Sequence, residues 1–485
     1  MKVTKTLLQK SIFILFTTVF SLVSCNTNDE DSIDQTNVEN ASEINLTASS
    51  SSEMTATQTV DIWLYTNNRI AISNEFFGVN NNWRTITNSD YSTFENKLES
   101  INYQGIRFPG GWESEYYDWN TDTTPNWSNA PAVPGASIST VLGTNPPSLS
   151  IVVPTVDAMN LSQWSTQWWA AIQTLKTKAV DAINAAGANN ILSVEVGNEW
   201  WLQWAGGVSR SNKLNKYSHI AKRVVKHIRQ TFPSANFKIL VNGDFTEPSE
   251  FTTMNTIFGN DLSFADGVAL HPYAGYNSTT HNIANVQSDI IACRDNFGKN
   301  YVHLSEWAPS KAYNNNKVYA QGANVLVELT HELARSGADA AAFWPPKNTS
   351  IPGLGLFSSN YNVTYPTAQI FGDMSQNYTG DALATTTNGA IKAVASRNGN
   401  RITVYVAGMD EPNTTVRLRV VGASPQTSPV SSHIFLPGNT SNTAAATPMT
   451  LTTNPSTYNN SFTGYEFNVN AQSQYSIHRL IFDVN

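Results

Sequence analysis

Cysteine is almost missing from this chain of 485 residues, which has only Cys25 and Cys293. A disulfide framework of the kind that staples small folds is therefore excluded, and stability must come from a large apolar core. Charge is scarce as well, at 14% of residues, and its balance is acidic, with a net −8. That balance argues against nucleic acid or an anionic membrane surface as the main partner. Near the N-terminus the apolar run 11–23 is too short for a spanning helix, which needs roughly 20 apolar residues. No Gly-rich loop follows the first candidate strand, so a dinucleotide-binding open sheet is disfavoured. There is no Gly-x-Ser-x-Gly elbow. The stretch His331-Glu332-Leu333-Ala334-Arg335 lacks the second histidine of a zinc-protease helix. No internal repeat at solenoid or propeller period is present. Nothing calls for a cofactor or a metal.

What is present begins with an address. Lys2, Lys5 and Lys10 precede the run 11–23, and small residues follow, so residues 1–24 read as a secretory signal. The cut site Leu22-Val23-Ser24-Cys25 resembles the lipobox of bacterial lipoproteins. That resemblance implies that Cys25 is lipidated, that it starts the mature chain, and that the lipid is its only hold on a membrane. A lipidated Cys25 leaves no intrachain disulfide. Residues 25–58 are Ser, Thr, Asn and acid with almost no large apolar side chains, a composition that predicts a flexible tether. Within it, Asn28-Asp29-Glu30-Asp31 resembles the acidic export signal of some Bacteroidetes-type lipoproteins. An outer-membrane protein facing outward is the expectation, with a periplasmic anchor as the alternative.

The rest of the chain divides by pattern. Short β-rich runs at 76–79, 105–108, 149–153, 191–196, 238–241, 267–270, 301–304 and 340–343 alternate with longer amphipathic segments. Trp164, Trp168, Ile172, Leu175 and Ala179 recur at helical spacing in 162–183, as do Ile220, Val224 and Ile228 in 217–231, and 321–336 follows suit. Eight strands alternating with helices predict a (β/α)8 barrel, an α/β fold, over residues 71–379. Beyond residue 380 only short strands remain, at 390–396, 401–407, 415–421, 433–436 and 475–482, separated by turn clusters such as Arg397-Asn398-Gly399-Asn400. Residues 380–485 therefore read as a β-sandwich. The segment 59–64, within 59–70, alternates like an edge strand and is expected to pair with it.

In such a barrel the residues at strand C-termini face the site mouth. Glu199 follows the fourth candidate strand and Glu306 the seventh. Glycoside hydrolysis needs two carboxyl groups across the bond to be cut, one to protonate the leaving oxygen and one to attack or to activate water. A lone Asn-Glu pair carries little weight; two glutamates at matching strand ends carry more. Thirteen Trp and 18 Tyr add rings that serve either as core or as platforms for sugar faces.

Five motifs then fall in order along the barrel: Arg107-Phe108-Pro109-Gly110-Gly111, Tyr117-Asp118-Trp119, Gly197-Asn198-Glu199, Leu270-His271-Pro272-Tyr273 and Ser305-Glu306-Trp307. Together they resemble clan A of the retaining glycoside hydrolases, most closely the α-L-arabinofuranosidase families. The resemblance implies Glu199 as acid/base and Glu306 as nucleophile. It implies that Arg107 and Tyr273 hold the Glu306 carboxylate, and that Asn198 binds the hydroxyl beside the anomeric centre. It also implies that burial and the Glu306 charge raise the pKa of Glu199. Trp344, after strand eight, would floor the sugar site, and His271 would support it. Trp112 and Trp200, with Trp119, Trp201 and Trp204, are candidates for a subsite cluster.

The chain departs from those families at Ser305, where they carry aspartate, and lacks their Gly-Pro-x-x-Arg stretch after Tyr117-Asp118-Trp119. Sugar specificity is therefore open among arabinosides, xylosides, glucuronides and agar-type galactans. Glu113, Glu115 and Asp118 crowd the loop after strand two and read as a solvated face, with substrate contact as the sharper alternative. A polysaccharide or its oligosaccharides is the expected partner of an enzyme. The competing reading is a surface glycan-binding lipoprotein without catalysis.

Overall fold

The computed structural model describes residues 58–125, 127–202, 208–276, 281–310, 318–347, 355–426, 428–435, 447–448, 453–458 and 462–485. The signal at 1–24, Cys25, the tether as far as residue 57 and Trp204 lie outside the described residues. Among the described residues no helix is long and apolar enough to cross a membrane.

Strand β1 (Gln58–Ala71) comes first, then β2 (Glu75–Asn80), β3 (Ile106–Phe108), β4 (Leu149–Val153), β5 (Ile191–Val196), β6 (Lys238–Gly243), β7 (Gly267–Leu270), the two-residue β8 (Tyr273–Ala274), β9 (Tyr301–Pro309) and β10 (Ala340–Phe343). From β2 to β10 the main strands pair in parallel with their neighbours, and β10 pairs with both β9 and β2, which closes an eight-stranded barrel. Strands such as Leu149-Ser-Ile-Val-Val153 are buried at every position, because barrel side chains fill the interior on one face and meet helices on the other.

The helices are α1 (Tyr91–Ser100), α2 (Ile138–Gly143), α3 (Val156–Met159), α4 (Thr166–Ala186), α5 (Arg210–Thr231), α6 (Pro248–Phe258), α7 (Ile283–Phe297), α8 (Val318–Arg335) and α9 (Pro366–Asn377). The amphipathic reading of 162–183 starts four residues early, because Ser165 caps α4: its hydroxyl accepts from the Trp168 N–H at 3.1 Å. Trp168, Ile172, Leu175, Ala179 and Ile183 form the buried face of α4.

The C-terminal strands are β11 (Asp381–Thr387), β12 (Lys392–Asn398), β13 (Arg401–Ala407), β14 (Thr414–Val421), β15 (Ser431–Phe435), β16 (Thr447–Pro448), β17 (Thr453–Tyr458), β18 (Phe462–Val469) and β19 (Ile477–Asp483). With β1 they make one ten-stranded, mostly antiparallel ladder that folds over a second apolar core. Val416, Leu418 and Phe467 from β14 and β18 share that one core with Val404, Val406 and Leu480 from β13 and β19, which gives a sandwich. Strand β1 is no edge strand: it lies between β11 and β14, antiparallel to the first and parallel to the second, so both its edges are paired. The sequence reading omitted β11, β16, β17 and β18; β11 (Asp-Ala-Leu-Ala-Thr-Thr-Thr) has only one large apolar residue to reveal it.

Barrel and sandwich are tied through α8. Asn324 on that helix donates to the Tyr475 carbonyl at 2.6 Å and accepts from the Met409 N–H at 2.8 Å. His331 is buried beside the Tyr378 hydroxyl, 2.6 Å away. This histidine of the rejected zinc motif is a packing residue at the domain junction.

Candidate active site

Six of the eight barrel strands (β2, β3, β5, β6, β7 and β9), or the residues just after them, contribute side chains to one buried polar cluster. Its centre is Arg107, on β3, which is fully buried. The Nε donates to Glu195 at 2.8 Å, and Nη1 to Asn80 at 3.0 Å and to Glu306 at 2.6 Å. The Nη2 donates to the Asn198 side-chain oxygen at 2.8 Å. A guanidinium has a planar fork of five N–H donors, so it can serve four acceptors at once where an ammonium could not. Asn80 is fixed in turn by donating to the Ser305 carbonyl at 2.7 Å.

Glu306 lies deep, with 4% of its side chain exposed, and its second oxygen accepts from the Tyr273 hydroxyl at 2.8 Å. It is not at a strand end: β9 runs on to Pro309 because Tyr273 and Ala274 pair with Ala308 and Pro309. That extension brings Tyr273 over the glutamate. Glu199 is more open, with 19% of its side chain exposed, and its Oε1 lies 3.0 Å from His271 Nδ1. One oxygen of Glu199, one of Glu306 and a His271 ring nitrogen all lie within 4.8 Å of one another. Such a trio has donor types that could hold a cation, but Arg107 and Tyr273 already occupy both oxygens of Glu306.

The backbone at Glu199 is unusual, with φ 45°, a left-handed conformation that L side chains rarely adopt. It is held from two sides. The Glu199 N–H donates to the Asn242 side chain at 2.7 Å, and the Asn198 N–H donates to Glu115. Asn242 also donates to Glu195 at 2.7 Å, and its own N–H donates to the Tyr217 hydroxyl at 2.7 Å. Glu115 further accepts the N–H groups of Thr155 at 2.6 Å and Val156 at 2.8 Å. The Asn198–Glu199 corner is thereby fastened to the loops after β3 and β4 and to β6.

Electrostatics decide where the protons sit. Burial opposes charge on Glu195, yet Arg107 and His271 hold its carboxyl down at about 2. Burial opposes charge on His271 too, but Glu306, Glu195 and Glu199 around it push the imidazole up to about 10. Glu199 is raised, chiefly by burial and further by the Glu306 charge, while His271 acts against the rise. Three carboxyl groups thus share the cluster with two cations. With Glu195 held down and His271 held up, Glu199, whose pKa is raised, is the carboxyl of the three disposed to keep a proton.

The sequence-derived candidates Glu199, Glu306, Arg107, Asn198, His271 and Tyr273 come together in this cluster. Trp344, half-buried after β10, has its ring against Gly111: a methyl placed on Gly111 would sit 2.6 Å from the ring edge. Trp112 is half-buried and opens the 3-10 turn Trp112–Glu115. Trp200 is a correction. Its ring is fully buried, stacks on Tyr217 at 5.3 Å and donates to the Asn242 carbonyl at 3.0 Å, so no face is open to a sugar. Trp119 is likewise core, edge-on to Phe108 and Tyr117. Trp201 is partly buried near His271, with ring centroids 6.1 Å apart.

The solvated reading of the loop after β3 is overturned for Glu113 and Glu115, while Asp118 is half-buried. Glu113 and Glu115 are 4% and 1% exposed, and burial pushes Glu115 up to about 7 despite its hydrogen-bond donors. Glu195, Asn242 and Asn80 were missed. A glutamate inside an otherwise apolar strand was the available signal for Glu195, since buried acids are rare unless paired.

No family model matches the chain, and no curated protein matches it. Solved structures do match it in fold. A family 51 α-L-arabinofuranosidase from Bifidobacterium longum superposes with a TM-score of 0.62 at 12% identity, over 88% of this chain and 100% of that one. An α-L-arabinofuranosidase from Thermotoga maritima, in its arabinose complex, gives 0.60 at 13% identity over 88% and 100%. A family 30 endoxylanase from Clostridium papyrosolvens gives 0.57 at 12% identity over 87% and 100%. This chain therefore has the barrel-plus-sandwich fold of those glycoside hydrolases.

Proposed function

We propose that this protein is a retaining glycoside hydrolase acting on a plant or algal polysaccharide or its oligosaccharides, held to a bacterial envelope by a lipid on Cys25. The observation that carries the catalytic reading is the approach of Glu199 and Glu306, whose oxygens lie within 4.8 Å. Retaining enzymes hold their two carboxyl groups about 5–5.5 Å apart, whereas inverting enzymes leave about 6.5–9.5 Å for a water.

In the proposed reaction an oxygen of Glu306 attacks the anomeric carbon as the glycosidic bond breaks. The proton on Glu199 passes to the leaving oxygen. A glycosyl ester on Glu306 results, and Glu199 is left as a carboxylate. Glu199 then takes a proton from water, whose oxygen attacks the anomeric carbon and releases Glu306. Two inversions give net retention. The cluster suits both halves: Arg107 and Tyr273 stabilise the leaving carboxylate of the second step, and His271 holds the Glu199 anion formed in the first.

The names of the structural neighbours, arabinofuranosidases and xylanases, support a pentose-containing substrate as the first to try. The anchoring proposal rests on the lipobox sequence at Cys25 and on the acidic residues after it.

The test is a panel of aryl glycosides and plant and algal polysaccharides, assayed with wild type, Glu306→Ala and Glu199→Ala. Glu306→Ala should lose essentially all turnover. Glu199→Ala should regain rate with azide or with a leaving group that needs no proton. A wild type that releases no sugar but is retarded by a polysaccharide gel would replace the enzyme reading with a binding protein. Metabolic labelling with palmitate, lost on Cys25→Ala, tests the anchor.

A further inference from the structure

Two tryptophans stand exposed on the outside of the barrel, remote in sequence from both carboxylates. Trp164 is 52% exposed and Trp169 39%, and their ring centroids are 5.7 Å apart. Water is a costly neighbour for so much indole surface. Trp164 has φ 69°, again in the left-handed region that L side chains rarely adopt. The loop that carries it is pinned. Lys216 of α5 is buried and donates to the carbonyls of Met159 at 2.9 Å and Leu161 at 2.7 Å, and Gln163 donates to Asn215 at 3.0 Å. The platform is therefore preorganised.

Its surroundings are cationic. Helix α5 carries Arg210, Lys213, Lys216, Lys222, Arg223, Lys226 and Arg229 and no acid. Most of these are neutralised elsewhere: Arg210 by Glu250, Lys222 and Lys226 by Asp261, Arg229 by Asp266. Arg223 is not. It lies over the rings of Trp164, Trp168 and Trp169 at 5.6, 5.6 and 4.8 Å and donates to the His219 carbonyl. Lys176 of α4 donates to Gln173 at 3.3 Å and, like Arg223, makes no ion pair among the described residues. Trp169, Gln173 and Lys176 share a face of α4, and His219, Arg223 and His227 share a face of α5. Burial and neighbouring like charges lower the pKa of Lys176 and of both histidines. Lys176 and Arg223 are therefore the two cations that act on each other along the seam, with His219 and His227 held toward the neutral form, on a chain whose net charge is −8.

We infer that the seam of α4 and α5 is a second glycan-binding site, separate from the barrel mouth, which takes a polysaccharide strand bearing carboxylate or sulfate groups. Sugar faces stack on Trp164 and Trp169, and the anionic substituents lie along Arg223 and Lys176. The exposed amides and hydroxyls around the rings, Ser162, Thr166, Gln167 and Gln173, meet the remaining hydroxyls. The inference rests on the glycan-directed reading of the protein, and it deepens that reading by naming the charge of the polymer. Such a site keeps an anchored enzyme on its polymer between cuts.

The experiment is native affinity electrophoresis of the full chain carrying Glu306→Ala, so that no polymer is cut. The gels hold a uronate polymer (polygalacturonate), a sulfated galactan or neutral xylan. Trp164→Ala with Trp169→Ala, and separately Lys176→Ala with Arg223→Gln, should each weaken retardation by an acidic polymer about tenfold or more. Added salt should weaken it in the parent protein. Retardation by one acidic polymer and not the other supports the site and assigns the anion. Equal retardation of parent and variants overturns the proposal, and so does equal retardation by neutral xylan. Patch-dependent binding to anionic phospholipid vesicles, without retardation by either acidic polymer, overturns it in favour of a membrane-facing surface. Thermal midpoints matching the parent's show that the variants fold. If no glycan is ever hydrolysed, the gels still report on this site, so the two readings fail separately.

Discussion

The Nδ1 of His271 lies 3.0 Å from Oε1 of Glu199, and the ring's other nitrogen faces Glu195 at 3.5 Å. One charged imidazole thus joins the group proposed as acid/base to an ionised glutamate, which is itself paired with Arg107. The arrangement tempers Glu199: burial raises its pKa, and His271 limits the rise.

A change in pH profile follows for His271→Gln. In the proposed mechanism the acid form of Glu199 is lost as pH rises, so Glu199 would set the alkaline limb of kcat/KM. Removing His271 removes a cause that lowers this pKa, and the limb should move to higher pH while kcat falls. A limb that stays put or moves down contradicts the assigned pair.

Stability should carry the same signature. His271 has a folded pKa of about 10 against an ordinary value near 6.5. A raised base contributes stability that is complete below the unfolded pKa and is lost as pH rises through the folded one. Denaturant midpoints should fall between pH 6.5 and 10 in wild type, with that part of the fall missing in His271→Gln. Parallel curves for the two proteins would count against a charged His271.

Arg107 is the most demanding position. Arg107→Met leaves Glu195 and Glu306 buried without their partner, and breaking a buried pair costs about 3–5 kcal/mol. Arg107→Lys keeps the charge but loses the fork, and kcat/KM should fall by about a thousandfold. Chemical denaturation measures the first and steady-state kinetics the second; a lysine variant near wild-type rate is the contrary result.

Glu115 tests positioning at a distance from the chemistry. Glu115→Gln replaces an all-acceptor carboxylate with an amide that turns N–H groups toward the N–H groups of Asn198, Thr155 or Val156. Stability should drop by about 1–3 kcal/mol. Because the Asn198–Glu199 corner loosens, kcat should fall more than KM rises, with Glu115→Asp failing to restore it. An unchanged kcat in a folded variant rejects this role.

Gly111→Ala probes the proposed sugar floor. The added methyl would meet the Trp344 ring at 2.6 Å, and φ at this position is 68°. Displacing the ring should raise KM about tenfold with a smaller effect on rate. A variant with wild-type KM would separate Trp344 from substrate.

The sequence disclosed what is local. Each of the eight barrel strands is a short apolar run between helical segments, and the motif residues sit at fixed offsets from those runs. The partners of those residues were hidden, because they meet only in the closed barrel. Glu115 reaches Asn198 across 83 positions and Arg107 reaches Glu195 across 88. No local pattern separates a buried Glu113 or Glu115 from a solvated pair in a loop. Trp200 misled for the opposite reason: it adjoins Glu199 in sequence, yet the 3-10 turn Trp200–Leu202 carries its ring inward onto Tyr217.

The central claim is that Glu306 attacks the sugar directly while Glu199 supplies the proton. The most direct test is the anomeric configuration of the first-formed product, followed by proton NMR on the best substrate from the panel. The account predicts retention, with a glycosyl ester on Glu306 detectable by mass spectrometry when a slow fluorinated substrate is used. Inversion at the anomeric carbon, with no ester formed, would contradict it.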